Sequence, residues 1–274
     1  MLVYIVNMIR HPAVAGQFYP GTPKELDLSV RRLTPDLPDR VRAKAVVVPH
    51  AGYVYSGAVA GEVYSSVEIP VSHIVFCPNH SGIGADVAIM SRGAWRMPWG
   101  DVPIDEGLAG RLLKASLLIS EDRSAHAREH SLEVQLPFLR RFRESFRFVP
   151  IALGRLSITD CRSLGEAVAG VIRDEPSPPL LIASSDMTHY ETDASARTKD
   201  RKAISRILEL DPEGLYRTVR SERITMCGVI PTIVVMFAAL SLGATEARLI
   251  RYSTSGDVSG DLSQVVGYAG LAIL

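Results

Sequence analysis

The sequence has little cysteine, no surplus of charge of either sign, no repeats and no low-complexity tract, and each shortage removes a class of protein. Its three cysteines, Cys77, Cys161 and Cys227, are too few and too scattered for a disulfide framework, which points to a reducing, cytoplasmic compartment. Thirty basic residues balance thirty acidic ones, so no net positive field draws the chain onto nucleic acid or an anionic membrane. A small-molecule or peptide ligand suits this balance better. The opening residues, MLVYIVNMIRHP, hold a short apolar run with no basic residue before it and no small-residue cleavage site after it, so no signal peptide is predicted. Met8 directly precedes IRHPAVAGQFYP, and residues 1–7 read as either an extra strand or a product of start-codon choice.

Uncharged runs long enough to span a bilayer are also scarce. The one from Ile224 to Thr245 contains Thr225, Cys227, Gly228, Pro231, Thr232, Ser241 and Gly243. No second span accompanies it, so a buried core helix is predicted. What is present is ample apolar material: 274 residues at 47% hydrophobic content fit one domain, 1–274, with a single large core. The linker-like patches, TPDLPD (34–39) and RDEPSPP (173–179), are short surface connections.

Short β-branched runs alternate with amphipathic helical patterns, which predicts an α/β fold with a mixed, mainly parallel sheet flanked by helices. Strands are predicted over 44–49, 73–78, 86–91, 147–153, 180–184, 247–253 and 265–274. Helices are predicted over 57–67, 105–116, 131–142, 159–172, 194–210, 212–219 and 228–242, with an antiparallel excursion over 94–104. Ligands of open α/β sheets collect beyond the carboxyl ends of the strands. Three strands end in polar chemistry there: KAVVVP in His50, HIVFCP in Asn79 and His80, and LLIASS in Asp186 with His189 just beyond.

His50 and His80 are each followed two residues later by glycine, Gly52 and Gly82, which places them on tight turns. Two imidazoles at matching positions suit iron, copper or zinc. Asp186 and Cys227 compete for third ligand; Cys227 stands where a helix begins, an environment that favours thiolate, and Asp186 reads equally as a helix cap. His189 is placed for acid/base work, and Tyr53 and Tyr55 are placed to lend hydroxyls to the same pocket. Ser56 reads as an N-cap and Cys77 as core. A rival pattern, HAREH (126–130), fits the H-x-x-E-H zinc peptidases, with His126 and His130 as ligands and Glu129 as base. The helix here is predicted to begin near His130, which leaves His126 off it and makes His130 a contributor to the main pocket.

Taken together, RHPAVAGQFYP, VVVPHAGYVYSG, CPNHSG, EHSLEVQLPFL, SSDMTHY and MCG, in this order, resemble the Memo family, of the AmmeMemoRadiSam system protein B type. The resemblance implies a fold like that of the class III non-haem iron extradiol dioxygenases, and a pocket in which His50, His80 and Cys227 are metal ligands. It further implies that Asp186 and His189 line that pocket, His189 in the acid/base position. Cys227 would stand where the dioxygenases carry glutamate, and a thiolate favours iron or copper in a redox role over an oxygen-rich site. A metal-dependent oxidoreductase, or a non-catalytic module binding a peptide or small anion, would each fit, with radical-SAM and AMMECR-type proteins as partners.

Overall fold

The computed structural model describes residues 8–274, so the expectations for residues 1–7 fall outside it. The chain runs β1 (Ile9–Arg10), α1 (Pro23–Leu33), β2 (Ala45–Val48), α2 (Tyr53–Ser66), β3 (Ser72–Pro78), β4 (Val87–Ile89), β5 (Ala94–Met97) and β6 (Gly100–Pro103). Then come α3 (Glu106–Ala115), β7 (Ser120–Glu121), two short 3-10 turns, α4 (Leu136–Phe142), β8 (Arg147–Leu153), α5 (Ile158–Ile172) and β9 (Leu180–Ser184). It closes with β10 (His189–Glu191), α6 (Asp193–Leu208), α7 (Pro212–Ser221), α8 (Val229–Ser241), β11 (Ala247–Thr254), α9 (Gly256–Ser259) and β12 (Val265–Ile273).

Among the described residues the main sheet has the order β10-β12-β2-β9-β3-β8-β4-β7, with β11 also paired to β12. Its centre, β2, β9, β3 and β8, is parallel, and every residue of β2 and β9 is buried. Strands covered on both faces need apolar side chains on both, which is why AVVV and LLIAS are continuous and not alternating. The register pairs Val48 with Ser184, so His50 and Asp186 each lie two residues past the last rung, side by side. The excursion predicted over 94–104 is the β5–β6 antiparallel pair, with β1 beside β5.

No helix of the described residues is long and apolar enough to cross a membrane. The uncharged stretch folds instead as a loop and α8, whose Ile233, Val234, Val235 and Met236 are fully buried.

Several boundaries differ from expectation for local reasons. The second helix begins at Tyr53, not Gly57, with Gly52 as N-cap at φ −53°. Ser56 is therefore no cap: its hydroxyl donates to the Ala51 carbonyl at 2.9 Å. Only Gly82 of the two glycines has positive φ, +64°. Helix α1 was not predicted, although Thr22 and Glu25 form its N-terminal frame: Thr22 Oγ1 accepts from the Glu25 N–H at 3.4 Å and donates to Glu25 Oε2 at 2.6 Å, the S/T-x-x-E signature. The helix predicted over 131–142 is regular only from Leu136 and starts as a 3-10 turn, Glu133–Gln135. The preceding residues are drawn toward the strand ends.

His73, at the start of β3, is fully buried and neither ring nitrogen has a hydrogen-bond partner among the described residues. Burial, with a smaller contribution from the Arg143 charge, pushes its pKa down to about 3. The unfolded chain, with a histidine pKa of about 6.5, therefore binds a proton that the folded chain refuses. This stability is present above pH 6.5 and is lost as pH falls below it, by about 3 kcal/mol at pH 4. A His73→Leu variant is expected to flatten the acid limb of the stability curve between pH 6.5 and 4, measured by urea unfolding.

Candidate metal centre

His50, His80 and His130 come together beyond the carboxyl ends of β2 and β3, with one ring nitrogen from each within 4.8 Å of the others. Ring centroids lie 5.2 Å apart for His50 and His80, 5.6 Å for His50 and His130, and 4.7 Å for His80 and His130. What the rings present to this space is decided by the hydrogen bonds behind them.

His50 is buried, and its Nδ1 meets Ser184 Oγ at 2.9 Å. The Ser184 hydroxyl spends its one proton on the Ser131 carbonyl at 2.6 Å and accepts from Gln135 Nε2 at 3.0 Å. Tyr64 in turn donates to Gln135 Oε1 at 3.0 Å, which fixes the amide the right way round. Ser184 can thus only accept from His50, so Nδ1 carries the proton and Nε2 keeps its lone pair. His80 is held the same way by a stronger group. Its Nδ1 lies 2.9 Å from Glu129 Oε1 and its backbone N–H donates to Glu129 Oε2 at 2.8 Å. Ser131 donates twice more to Glu129 Oε1, at 2.9 Å and 2.6 Å. Burial alone would raise the Glu129 pKa, but these bonds and the His80 charge hold it down at about 2. An ionised acceptor makes Nδ1–H the His80 donor, and the same carboxylate outweighs burial and raises the His80 pKa, so its Nε2 is free once the ring sheds its second proton.

His130 stacks on His80 and meets the edge of Phe18, centroids 4.9 Å apart. Burial and the neighbouring imidazoles lower the pKa of His50 strongly, and burial lowers that of His130. Neutral imidazoles with free nitrogens are the form that binds a transition ion. One nitrogen of each ring already lies within 4.8 Å of the others, against roughly 3.4 Å between donors on one tetrahedral ion.

Cys227, two residues before α8, lies with Sγ 3.2 Å from His50 Nε2 and outside the group of three nitrogens. In the metal-free protein burial, reinforced by the Asp186 charge, outweighs the backbone N–H groups of Asp186 and Gly228 and raises the thiol pKa well above its ordinary value. Without an ion the pair is S–H donating to the His50 lone pair. The close packing here depends on Gly228, where a Cβ would sit 2.3 Å from the Ser184 carbonyl oxygen and 2.4 Å from the Ser185 Cβ.

Asp186 is buried and accepts the His50 backbone N–H at 2.8 Å, with its other oxygen 3.9 Å from His50 Nε2. Burial, partly offset by backbone N–H groups of His50 and Ala51, pushes its pKa up to about 7. It caps no helix. His189, first residue of β10, has Nδ1 3.0 Å from the Thr225 carbonyl, so its Nε2 is also an acceptor; burial lowers its pKa. These groups line a cleft of about 450 Å³ together with Phe18, Tyr190, Thr225 and Val266.

Tyr53 is not among the cleft residues. Its hydroxyl donates to the Val134 carbonyl at 2.7 Å, and its ring packs on Phe138. Tyr53→Phe is expected to cost about 1 kcal/mol of stability and to leave the cleft's ligand binding unchanged, measured by urea unfolding beside a metal-binding titration. The H-x-x-E-H reading also fails geometrically. His126 is fully buried with Nε2 3.1 Å from the Ala88 carbonyl, while Glu129 orients His80 and His130 joins the strand-end group. Sequence reasoning missed Ser184, Gln135, Glu129 as the His80 partner, and Phe18. A carboxylate directly before a histidine in EHS was the available signal.

The fold is a mainly parallel α/β sheet with three imidazoles gathered beyond the carboxyl ends of its central strands, a group that could hold a metal ion. The Memo-like protein family model matches residues 10–272, and the chain belongs to this family. A MEMO1 family protein of Methanopyrus kandleri is 45% identical, covering 96% of this chain and 98% of its own. One from Methanothermobacter thermautotrophicus is 41% identical, with 97% and 100% covered, and one from Aquifex aeolicus is 42% identical, with 97% and 99% covered. A crystal structure of the uncharacterized protein JW3007 of Escherichia coli K12 aligns with TM-score 0.59 over 84% of this chain and 100% of that one, at 12% identity. That likeness is one of fold.

Proposed function

We propose that this chain is a metal-dependent oxidoreductase of small molecules that works in the reducing cytoplasm. An iron or copper ion would be held by His50 and His80, with His130 completing the imidazole triad and Cys227 available as an adjoining donor. The observation that carries the reading is the convergence of three imidazoles, two with Nδ1 committed to Ser184 and Glu129. A ligating histidine whose other nitrogen is so engaged is the usual arrangement of a protein metal site. Donors of this kind suit iron, copper or zinc, and the thiol beside them weights the choice toward a redox ion.

When bound, such an ion supplies open coordination positions and a one-electron couple. The protein's own residues supply the rest. Phe18, Tyr190 and Val266 give the cleft an apolar and aromatic lining, and His189 Nε2 is an acceptor for a proton leaving a ligand in the cleft. Asp186 holds the His50 turn through its backbone N–H. Radical-SAM and AMMECR-type proteins fit as partners that supply or consume the small molecule.

Metal analysis after anaerobic purification tests the reading. Wild-type protein is expected to carry close to one iron or copper per chain, and Glu129→Gln, which removes the charge that orients His80, is expected to bind it roughly 10–100-fold more weakly. Wild-type protein that takes up no metal yet still binds small anions or peptides would make the cleft a non-catalytic binding module instead.

A further inference from the structure

A cleft of about 710 Å³ lies at the other end of the sheet from the histidines. Lys44 immediately precedes β2 while His50 follows it, so the two sites are roughly 20 Å apart along the strands. Both linker-like patches noted in the sequence lead into this cleft. Arg40 and Arg42 follow the first, and Arg173 with Pro176, Pro178 and Pro179 belongs to the second.

Five cations line it, Arg40, Arg42, Lys44, Arg143 and Arg173, against one carboxylate, Glu68. None of the five is in an ion pair among the described residues, although the chain is neutral overall and its other arginines are extensively paired. Of the two acids in the same loop, Asp174 and Glu175, the second is spent on Arg111. Arg40 is parked over the Phe142 ring, 4.5 Å from its centroid, and Arg143 braces the Ile69 carbonyl at 3.0 Å and 3.3 Å. Both thereby hold cationic heads at the cleft wall at low cost in rotamer freedom. The remaining wall is apolar, from Ile69, Pro70, Phe142, Leu180 and Leu242. Unpaired guanidinium groups facing one concavity attract phosphate, which they bind through planar, paired N–H donors. The volume matches a drug-sized ligand and not an extended nucleic-acid track, and an apolar wall beside the cations suits an organic body attached to the phosphates.

We propose that this cleft is a binding site for a phosphate-bearing organic anion of the nucleotide class, separate from the strand-end centre. The proposal is independent of any metal at the histidines.

The test is calorimetric titration of chelator-treated protein with ATP in magnesium-free buffer, beside tripolyphosphate and a short single-stranded RNA. ATP is expected to bind saturably at one site, less tightly as salt rises. It should bind more tightly than tripolyphosphate, and roughly tenfold or more weakly to an Arg42→Glu/Arg173→Glu double variant. Both positions are exposed, so the double variant is expected to melt with the wild type. His80→Ala is expected to bind ATP as the wild type does. Absence of saturable ATP binding, or equal affinity in the double variant, would overturn the proposal. Loss in His80→Ala would move the site to the histidines. Tripolyphosphate matching ATP would remove the organic moiety from the proposal, and RNA displacing ATP with higher affinity would make the cleft a nucleic-acid surface.

Discussion

His80→Ala is expected to strip the protein of bound metal, from close to one ion per chain to below a tenth of that after anaerobic purification, with His50→Ala behaving alike. The expectation rests on hydrogen bonds behind the rings more than on the rings themselves. A histidine free to rotate loses entropy and can offer either nitrogen; His50 and His80 cannot. Ser184 has no proton left to give His50, and Glu129 is ionised at neutral pH, so each ring, in its neutral form, is fixed with Nε2 as the acceptor. Removing one of two such preset donors from a three- or four-donor site weakens binding by more than the roughly 10–100-fold that loss of an outer hydrogen bond costs. Metal content by elemental analysis checks it, with folding confirmed by an unchanged urea transition. Retention of wild-type metal by both variants would show that these imidazoles hold none.

The second large effect lies behind the centre. Arg10→Ala is expected to destabilise the fold by about 3–5 kcal/mol, because it leaves the fully buried Glu133 carboxylate without its cation. Arg10 and Glu133 form an ion pair with side chains 4% and 0% exposed. Glu133 also accepts from the backbone N–H groups of Ala13 at 2.7 Å and Val14 at 3.1 Å, and from the Tyr19 hydroxyl at 2.5 Å. Arg10 donates as well to the carbonyls of His126 at 3.0 Å and Glu129 at 2.6 Å. The pair therefore clamps the segment that presents Glu129 and His130. Against total stabilities of about 5–15 kcal/mol, such a loss is large enough to read as a marked fall in the urea midpoint, accompanied by weaker metal retention. A shift under about 1 kcal/mol would mean that the pair is replaceable by water or by the remaining donors.

The parallel core was readable because strands buried on both faces must be apolar throughout, and KAVVVP, HIVFCP and LLIAS have little other use. Their carboxyl ends then located His50, His80 and Asp186 together, since parallel neighbours share a direction. The role of His130 was harder to read. It reaches the centre from an irregular segment whose path is set by Arg10 and Glu133, more than a hundred residues apart in sequence, and no local pattern encodes such a clamp. Tyr53 was misplaced for a simpler reason: the helix starts four residues earlier than its serine suggested, so the ring turns to Phe138 and the hydroxyl to Val134. The state of Cys227 depends on burial and on Asp186, neither visible in a helix-start pattern. The short strand β10, which carries His189, pairs antiparallel to β12 with an irregular register, and three residues are too few to show a period.

Anomalous scattering from a crystal of anaerobically purified protein, collected at the iron and copper edges, tests the central claim most directly. The account expects one dominant peak bonded to Nε2 of His50 and His80 at about 2.0–2.1 Å, as imidazole nitrogens bind first-row ions, with His130 or Cys227 adjoining it. A metal-loaded crystal with no peak between His50 and His80, its ion bound elsewhere on the chain, would contradict it.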